Sequence, residues 1–183
     1  MKNSIRVIVV VLLAVAVLSY LHWYRGWHME QMERAGHHGG INCVNNLKQI
    51  GLAFKIWSGD NADKFPFSTS TNAGGTLELC APDKDGFDGN AYLFLRAMSN
   101  ELSATKLLIC PLDHDKKAAV DWPSLTASNI TYRFRTGYKI SSTNPREILA
   151  VCPLDGNVLY CDGTVADKNG KSPAEDPNAL NVR

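Results

Sequence analysis

The chain has 183 residues, with 19 basic and 18 acidic side chains and a net charge of +1. That balance, with no Lys/Arg-rich stripe, excludes the electrostatic footprint of a nucleic-acid-binding protein. Apolar content is that of an ordinary globular domain, and setting aside the N-terminal segment leaves about 140 residues, enough for one domain with one core.

The run over 7–21, VIVVVLLAVAVLSYL, carries no charge. With Ile5 and the snorkelling Arg6 it approaches the ~20 residues that cross a bilayer. Lys2, Arg6 and the terminal amine precede it, which places the N-terminus in the cytoplasm and the rest outside. Trp23, Tyr24 and Trp27 follow as an aromatic belt at the outer interface. Residues 1–27 are therefore read as a transmembrane anchor. A cleaved signal peptide is the rival reading, but no A-x-A site follows the run, and Val17-x-Ser19 is a poor substitute. Either way the remaining chain is exported.

Residues 28–40 form a juxtamembrane segment. Its helical start, 29–35, meets GHHGG over 36–40, where three glycines predict a hinge or break. A second helix follows, with Asn42 as N-cap. Cys43, Leu47, Ile50, Phe54 and Trp57 share one face as its packing stripe, while Asn45, Asn46, Lys48 and Lys55 turn elsewhere. It should end near Ser58-Gly59, ahead of Pro66. Residues 67–75 read as a loop, 76–80 as a short strand and 81–90 as an acidic loop. A helix is expected over 91–102, capped by Asn90, with Leu93, Phe94, Ala97 and Met98 on its apolar side. Residues 106–110 read as a short buried strand stopped by Pro111, and 111–128 as irregular. Over 130–140, Ile130, Tyr132, Phe134, Thr136, Tyr138 and Ile140 alternate with polar or small residues, the cleanest strand signal in the chain. Residues 148–152 and 157–161 are two more strands joined by a Pro-Leu-Asp-Gly turn, and Asp162-Gly163 makes another turn. The domain is expected to occupy 41–166, with a loose polar tail over 167–183. Helices followed by strands predict an α+β fold with a small antiparallel sheet.

In an exported domain the cysteines, Cys43, Cys80, Cys110, Cys152 and Cys161, are all disulfide candidates. Their number is odd, so at least one is free or pairs between chains. The pairing is left open, and so is the alternative of buried, unpaired thiols. The absence of a C-x-x-C disfavours a thioredoxin-like or zinc-ribbon site.

CVNNLKQIGLAF, over 43–54, resembles the end of the N-terminal helix in bacterial pilin-like proteins, relatives of type II secretion pseudopilins; Asn45, Asn46, Lys48, Gln49 and Gly51 carry the match. KLLICPLD over 106–113 resembles that family's strand and Cys-Pro-x-Asp turn, through Pro111 and Asp113. Residues 129–134 and 145–150 resemble its next two strands. GNVLYCDG over 156–163 resembles its terminal hairpin, through Gly156, Asn157, Asp162 and Gly163. The likeness covers 41–165 in patches. It implies a long helix, membrane-embedded at its start and packed on a small antiparallel sheet. It also implies a non-catalytic structural or assembly role outside the inner membrane, with other pilin-like subunits or a secretion assembly as partners. The prepilin peptidase motif of that family is absent here. So is the intramembrane carboxylate that would seek a neighbour's amine, and Thr164 stands where a histidine is common.

For chemistry, Asp83, Asp85, Asp88 and Asn90 offer hard oxygen ligands with intervening glycines, a candidate calcium loop, with a solvated turn as the alternative. It is no EF-hand, since Phe94 occupies the twelfth position. Asp60 and Asp63 are a weaker pair. His37-His38, with His28 or Glu33, is a weak transition-metal candidate, and Asp113-His114-Asp115 reads as turn chemistry. Nucleophile-elbow, Walker A, dinucleotide and H-E-x-x-H motifs are absent, so no enzyme is expected and no cofactor beyond calcium. The functional expectation is an inner-membrane, single-pass pilin-like protein with its domain in the periplasm or outside the cell. The alternative is a periplasmic ligand- or calcium-binding module tethered by an uncleaved signal anchor.

Overall fold

A computed structural model describes the backbone of residues 2–167, and side chains at 12–27 and 42–167. The predicted tail over 168–183 lies outside the described residues, as do the side chains of His28, Glu33, His37 and His38. The regular elements are α1 (Lys2–Asp60), α2 (Ala91–Ala97), β1 (Arg133–Phe134), β2 (Ile148–Val151), β3 (Val158–Tyr160) and β4 (Val165–Ala166). The strands form one antiparallel sheet in the order β1-β2-β3-β4, so the fold is α+β. The chain divides into two compact units, Met1–His38 and Gly39–Arg183.

The backbone of α1 is helical throughout, which corrects both the expected break at 36–40 and the capping role of Asn42. Each glycine costs a helix about 1 kcal/mol relative to alanine. Ending one helix and nucleating another costs more than carrying an established one across the gap. The boundary between the two units nevertheless falls within this glycine segment, after His38.

In the first unit, the side chains at 12–27 are all exposed, including Leu12, Leu13, Val15, Val17 and Leu18. Tyr20 stacks against Tyr24 at 6.1 Å. Among the described residues no helix is long and apolar enough to cross a membrane. Residues 7–11 of the uncharged run lie outside the described side chains.

In the second unit, the last turns of α1 carry a stripe set by the 3.6-residue period. Cys43, Leu47, Ile50 and Phe54 are wholly buried, and Trp57 nearly so. Phe54 sits at the centre of the core. Its ring lies 5.2 Å from Phe65, 6.1 Å from both Phe67 and Phe94, and 6.2 Å from Phe134. Edge-to-face contacts also link Phe67 to Phe94 at 5.3 Å and Phe94 to Phe134 at 5.7 Å. Each such pair adds about 0.5–1.5 kcal/mol beyond area burial.

The backbone of α1 approaches the sheet most closely at Gly51. A Cβ there would lie 2.8 Å from Leu159 Cδ1 and 3.1 Å from the Gly163 Cα. Gly163, in the β3–β4 turn, has φ +83°, a conformation that favours glycine. Two glycines of the quoted phrases, far apart in sequence, thus meet face to face.

Several short elements differ from expectation. Residues 76–80 are not a strand but hold a 3-10 turn, Leu77–Leu79, and 106–110 hold another, Thr105–Leu108. Their backbone groups bond locally, as in Leu107 N–H to Ala104 O and Ile109 N–H to Lys106 O. Short apolar runs bury side chains equally well in either form. The predicted helix over 91–102 is helical only as Ala91–Ala97. Asn90 does not cap it with its side chain; the amide reaches back to Leu79 O at 3.0 Å. The alternation over 130–140 is real at Tyr132, Phe134 and Thr136, which are buried, but ladder pairing with β2 is confined to Arg133–Phe134. Gly137, at φ +119°, ends the extended run, and Tyr138 is 89% exposed. The β2–β3 hairpin forms with Pro153–Gly156 as its turn, and β4, too short for any period to announce, completes the sheet.

Two predictions follow from this packing. Alanine at an open helical position should stabilise by up to about 1 kcal/mol, as expected for Gly59→Ala, whose Cβ would meet nothing within 4 Å. Gly51→Ala should do the opposite and lower the thermal midpoint, because its Cβ would collide with Leu159 and the Gly163 backbone; paired thermal melts read the two signs directly.

The second concerns acid. Glu78 accepts the Ser70 hydroxyl at 2.6 Å and the Thr71 N–H at 2.8 Å. The Ser70 bond foremost lowers its carboxyl from 4.5 to about 2. A depressed carboxyl contributes stability that is present above the unfolded value and lost as pH falls through the folded one. Between pH 4.5 and 2 the wild type should therefore lose stability more steeply than Glu78→Gln, by denaturation midpoints across that range.

Candidate metal centre

Three cysteines far apart in sequence converge under α1. Cys43 lies on the buried stripe of α1, Cys110 follows the 3-10 turn Thr105–Leu108, and Cys152 follows β2. Asp155 belongs to the β2–β3 turn. The three Sγ atoms and one Asp155 carboxylate oxygen all lie within 4.8 Å of one another. The three cysteines are wholly buried and Asp155 is partly so. Among the described residues this is the one group of three or more His, Cys, Asp or Glu so arranged.

Local hydrogen bonds place each donor. Asn46, one turn along from Cys43, donates its amide to the Ile109 carbonyl at 3.1 Å and so ties α1 to the Cys110 segment. The Cys110 N–H is accepted by the Thr131 hydroxyl at 3.2 Å, which in turn donates to Asp113 at 2.6 Å. The Cys152 N–H bonds to Asn157 O at 2.8 Å. Asn157 then donates to both oxygens of Asp155, from its backbone at 3.0 Å and its side chain at 2.8 Å.

The electrostatics follow from crowding three thiols and a carboxyl in one place. The neighbouring Cys152 sulfur foremost, and Cys43 next, lower the Cys110 thiol below its ordinary range. Cys43 is raised for the reciprocal reason, by its bonds with Cys110 and Cys152 and by burial. Burial also raises Asp155.

Beside the group stands Tyr132, 3% exposed. Its hydroxyl has no hydrogen-bond partner, and it neighbours Cys43, Asn46 and Cys110. A buried orphan hydroxyl costs about 1–3 kcal/mol, so this one is notable where four metal-ligating atoms meet.

All five cysteines are free thiols. Cys80 and Cys161 stand outside the group, and burial pushes each up to about 11. Cys80 donates to Thr76 O at 3.2 Å.

The sequence does carry a signal for this group that periodicity overlooks: the phrase Cys-Pro-Leu-Asp occurs twice, at 110–113 and 152–155. The two copies diverge in use. Asp113 turns to Thr131 and to the N–H groups of Asp115 and Lys116, and the Thr131 bond foremost lowers its carboxyl. Asp155 turns to the sulfurs.

The acidic loop over 81–90 is held by its own carboxylates. Asp88, 6% exposed, accepts from Asn90 N–H at 2.8 Å, Ala81 N–H at 3.1 Å and the Thr136 hydroxyl at 3.0 Å. Asp83 accepts from the N–H groups of Asp85 and Phe87, both at 2.9 Å, and meets Arg133 at 3.4 Å. These bonds account for Asp83 and Asp88 as loop-shaping residues, and Asp85 is exposed. Asp60 and Asp63 lie at the C-terminus of α1, where Asp63 has φ +59°.

Asp88→Ala should therefore destabilise the domain by about 1–3 kcal/mol, the loss of charged hydrogen bonds leaving the buried Thr136 hydroxyl and two part-buried N–H groups without their acceptor. Asp85→Ala should change stability by less than about 0.5 kcal/mol. Urea denaturation with calcium and with chelator should give the same difference between the two variants.

Comparison with known proteins returned no matching family model, no matching curated protein and no matching solved structure.

Proposed function

We propose that this chain is a membrane-anchored, extracytoplasmic, pilin-like structural or assembly protein without catalytic activity. The observation that carries the reading is the division of labour along α1. From 12 to 27 its side chains are exposed on every side although most are apolar or aromatic. From Cys43 to Trp57 one face is fully occupied by an antiparallel sheet and its loops. A helix apolar all round is stable only in lipid or among other chains. The uncharged run over 7–21 and the preceding Lys2 and Arg6 favour lipid, in a cytoplasm-to-outside orientation. The meeting of Gly51 with Gly163 gives the quoted phrases a shared packing role, which supports the likeness to pilin-like proteins. Because the prepilin peptidase motif and the intramembrane carboxylate are missing, the anchor is retained uncleaved, and assembly depends on contacts of the exposed helix surface. Inner-membrane residence, and pilin-like or secretion-assembly partners, follow as parts of this reading.

Fractionation and protease accessibility test the anchor. The full chain should stay with membranes after carbonate extraction and be digested from the outer side only; a soluble, shortened product would reject it. A photo-cross-linking amino acid at Trp23 tests assembly. A subunit gives a ladder of like-sized adducts, whereas uncross-linked monomer alone would reject the assembly role and leave the anchor standing.

A further inference from the structure

We propose that Cys43, Cys110, Cys152 and Asp155 form a structural zinc site that staples the last turns of α1 to the β2–β3 hairpin. Thiolate-rich tetrahedral donor sets select zinc among the common divalent ions. With Zn–S bonds of about 2.3 Å, neighbouring sulfurs in such a site lie about 3.8 Å apart. The donor atoms already lie within 4.8 Å of one another, so closing on an ion requires shifts of about an ångström or less. Four protein donors complete the tetrahedron and leave no position for water or substrate, which makes the site structural rather than catalytic.

Binding exchanges S–H for S–Zn bonds. Each coordinating thiol releases its proton to solvent, the zinc remains divalent, and no oxidant or reductant takes part. Three thiolates and one carboxylate around a divalent ion leave a net charge of about −2, which buried sites offset with hydrogen-bond donors in the surrounding shell. One is in place: the Tyr132 hydroxyl, without a hydrogen-bond partner among the described residues, stands beside Cys43. Zinc gives that hydroxyl an acceptor, a Cys43 thiolate, where among the described residues it has no hydrogen-bond partner. Asn157 holds Asp155 by the same logic.

The competing chemistry is a disulfide between two of the three sulfurs, with the third left over. A thiol count distinguishes the two, because a disulfide would leave only three of the five cysteines as thiols.

The experiment uses the full chain, purified in detergent without added metal or reductant. Elemental analysis should find about one zinc per chain, and all five thiols should titrate after denaturation in chelator. Cobalt exchanged into the wild type should give sulfur-to-cobalt charge-transfer bands and tetrahedral d–d bands. In chelator competition, Cys43→Ser, Cys110→Ser, Cys152→Ser and Asp155→Ala should each weaken zinc more than about 100-fold, and Tyr132→Phe about 10–100-fold. Cys80→Ser and Cys161→Ser should leave it unchanged. Where a cysteine variant fails to fold, the wild-type cobalt spectrum decides. Only three thiols before reduction would overturn the site in favour of a disulfide. Five thiols with neither zinc nor cobalt bound would overturn it outright.

Discussion

The fold depends on one interaction above the rest: the insertion of the Cys43–Trp57 stripe of α1 into a core centred on Phe54. Phe54 touches aromatic rings from the segment after α1, from α2 and from β1. The strands themselves are two to four residues long, too short to be stable as a sheet without a hydrophobic partner. Without that helix face the short strands and 3-10 turns have little else to pack on. Hydrophobic burial of this kind is non-directional, so it brings the elements together without fixing their register.

Register comes from the exceptions to that rule. Gly51 admits the Gly163 turn and Leu159 to distances no side chain would allow. The Asn46 amide bonds to the Ile109 carbonyl, and Asp88 ties the acidic loop to Thr136. The Gly51 and Asn46 contacts have one geometry each, and they set the rotation of α1 about its axis. That rotation is what aims Cys43 at Cys110 and Cys152. The sulfur group and the packing stripe are therefore one feature seen twice: the same helix face that fills the core also delivers the first ligand.

The two ends of α1 obey different rules. Past Cys43 one face is buried, and the outward face carries Asn45, Lys48, Gln49 and Lys55 together with exposed Leu52 and Ile56. Over 12–27 no such division exists. A single sequence thus encodes two environments along one helix, with the glycine-rich segment 36–40 between them. Its helical backbone shows how weak a prior propensity is inside a long, already established helix.

The helix stripe, the β2–β3 hairpin and the α+β class were legible in the sequence, because each rests on local physics: a 3.6-residue period, an Asp-Gly turn, and the order of elements. The 3-10 turns at 77–79 and 105–108 were not, since a short apolar run can bury its side chains as strand or turn and only its neighbours' hydrogen bonds decide. The strand signal over 130–140 was half legible for the same reason: the side-chain alternation is encoded locally, but ladder partners are supplied by β2 and by the 81–90 loop. The acidic loop drew attention as a cation site because carboxylates cluster in sequence there; Asp83 and Asp88 accept from backbone N–H groups, and Asp85 is exposed. The sulfur group did the reverse. Its members are spread from 43 to 155, and the doubled Cys-Pro-Leu-Asp phrase was the only local trace of it. The sequence by itself determined which residues seek burial and where the chain turns. Only the tertiary structure decided which cysteines meet, because convergence depends on the rotation of α1 against the sheet, and that is set by close packing between residues a hundred positions apart.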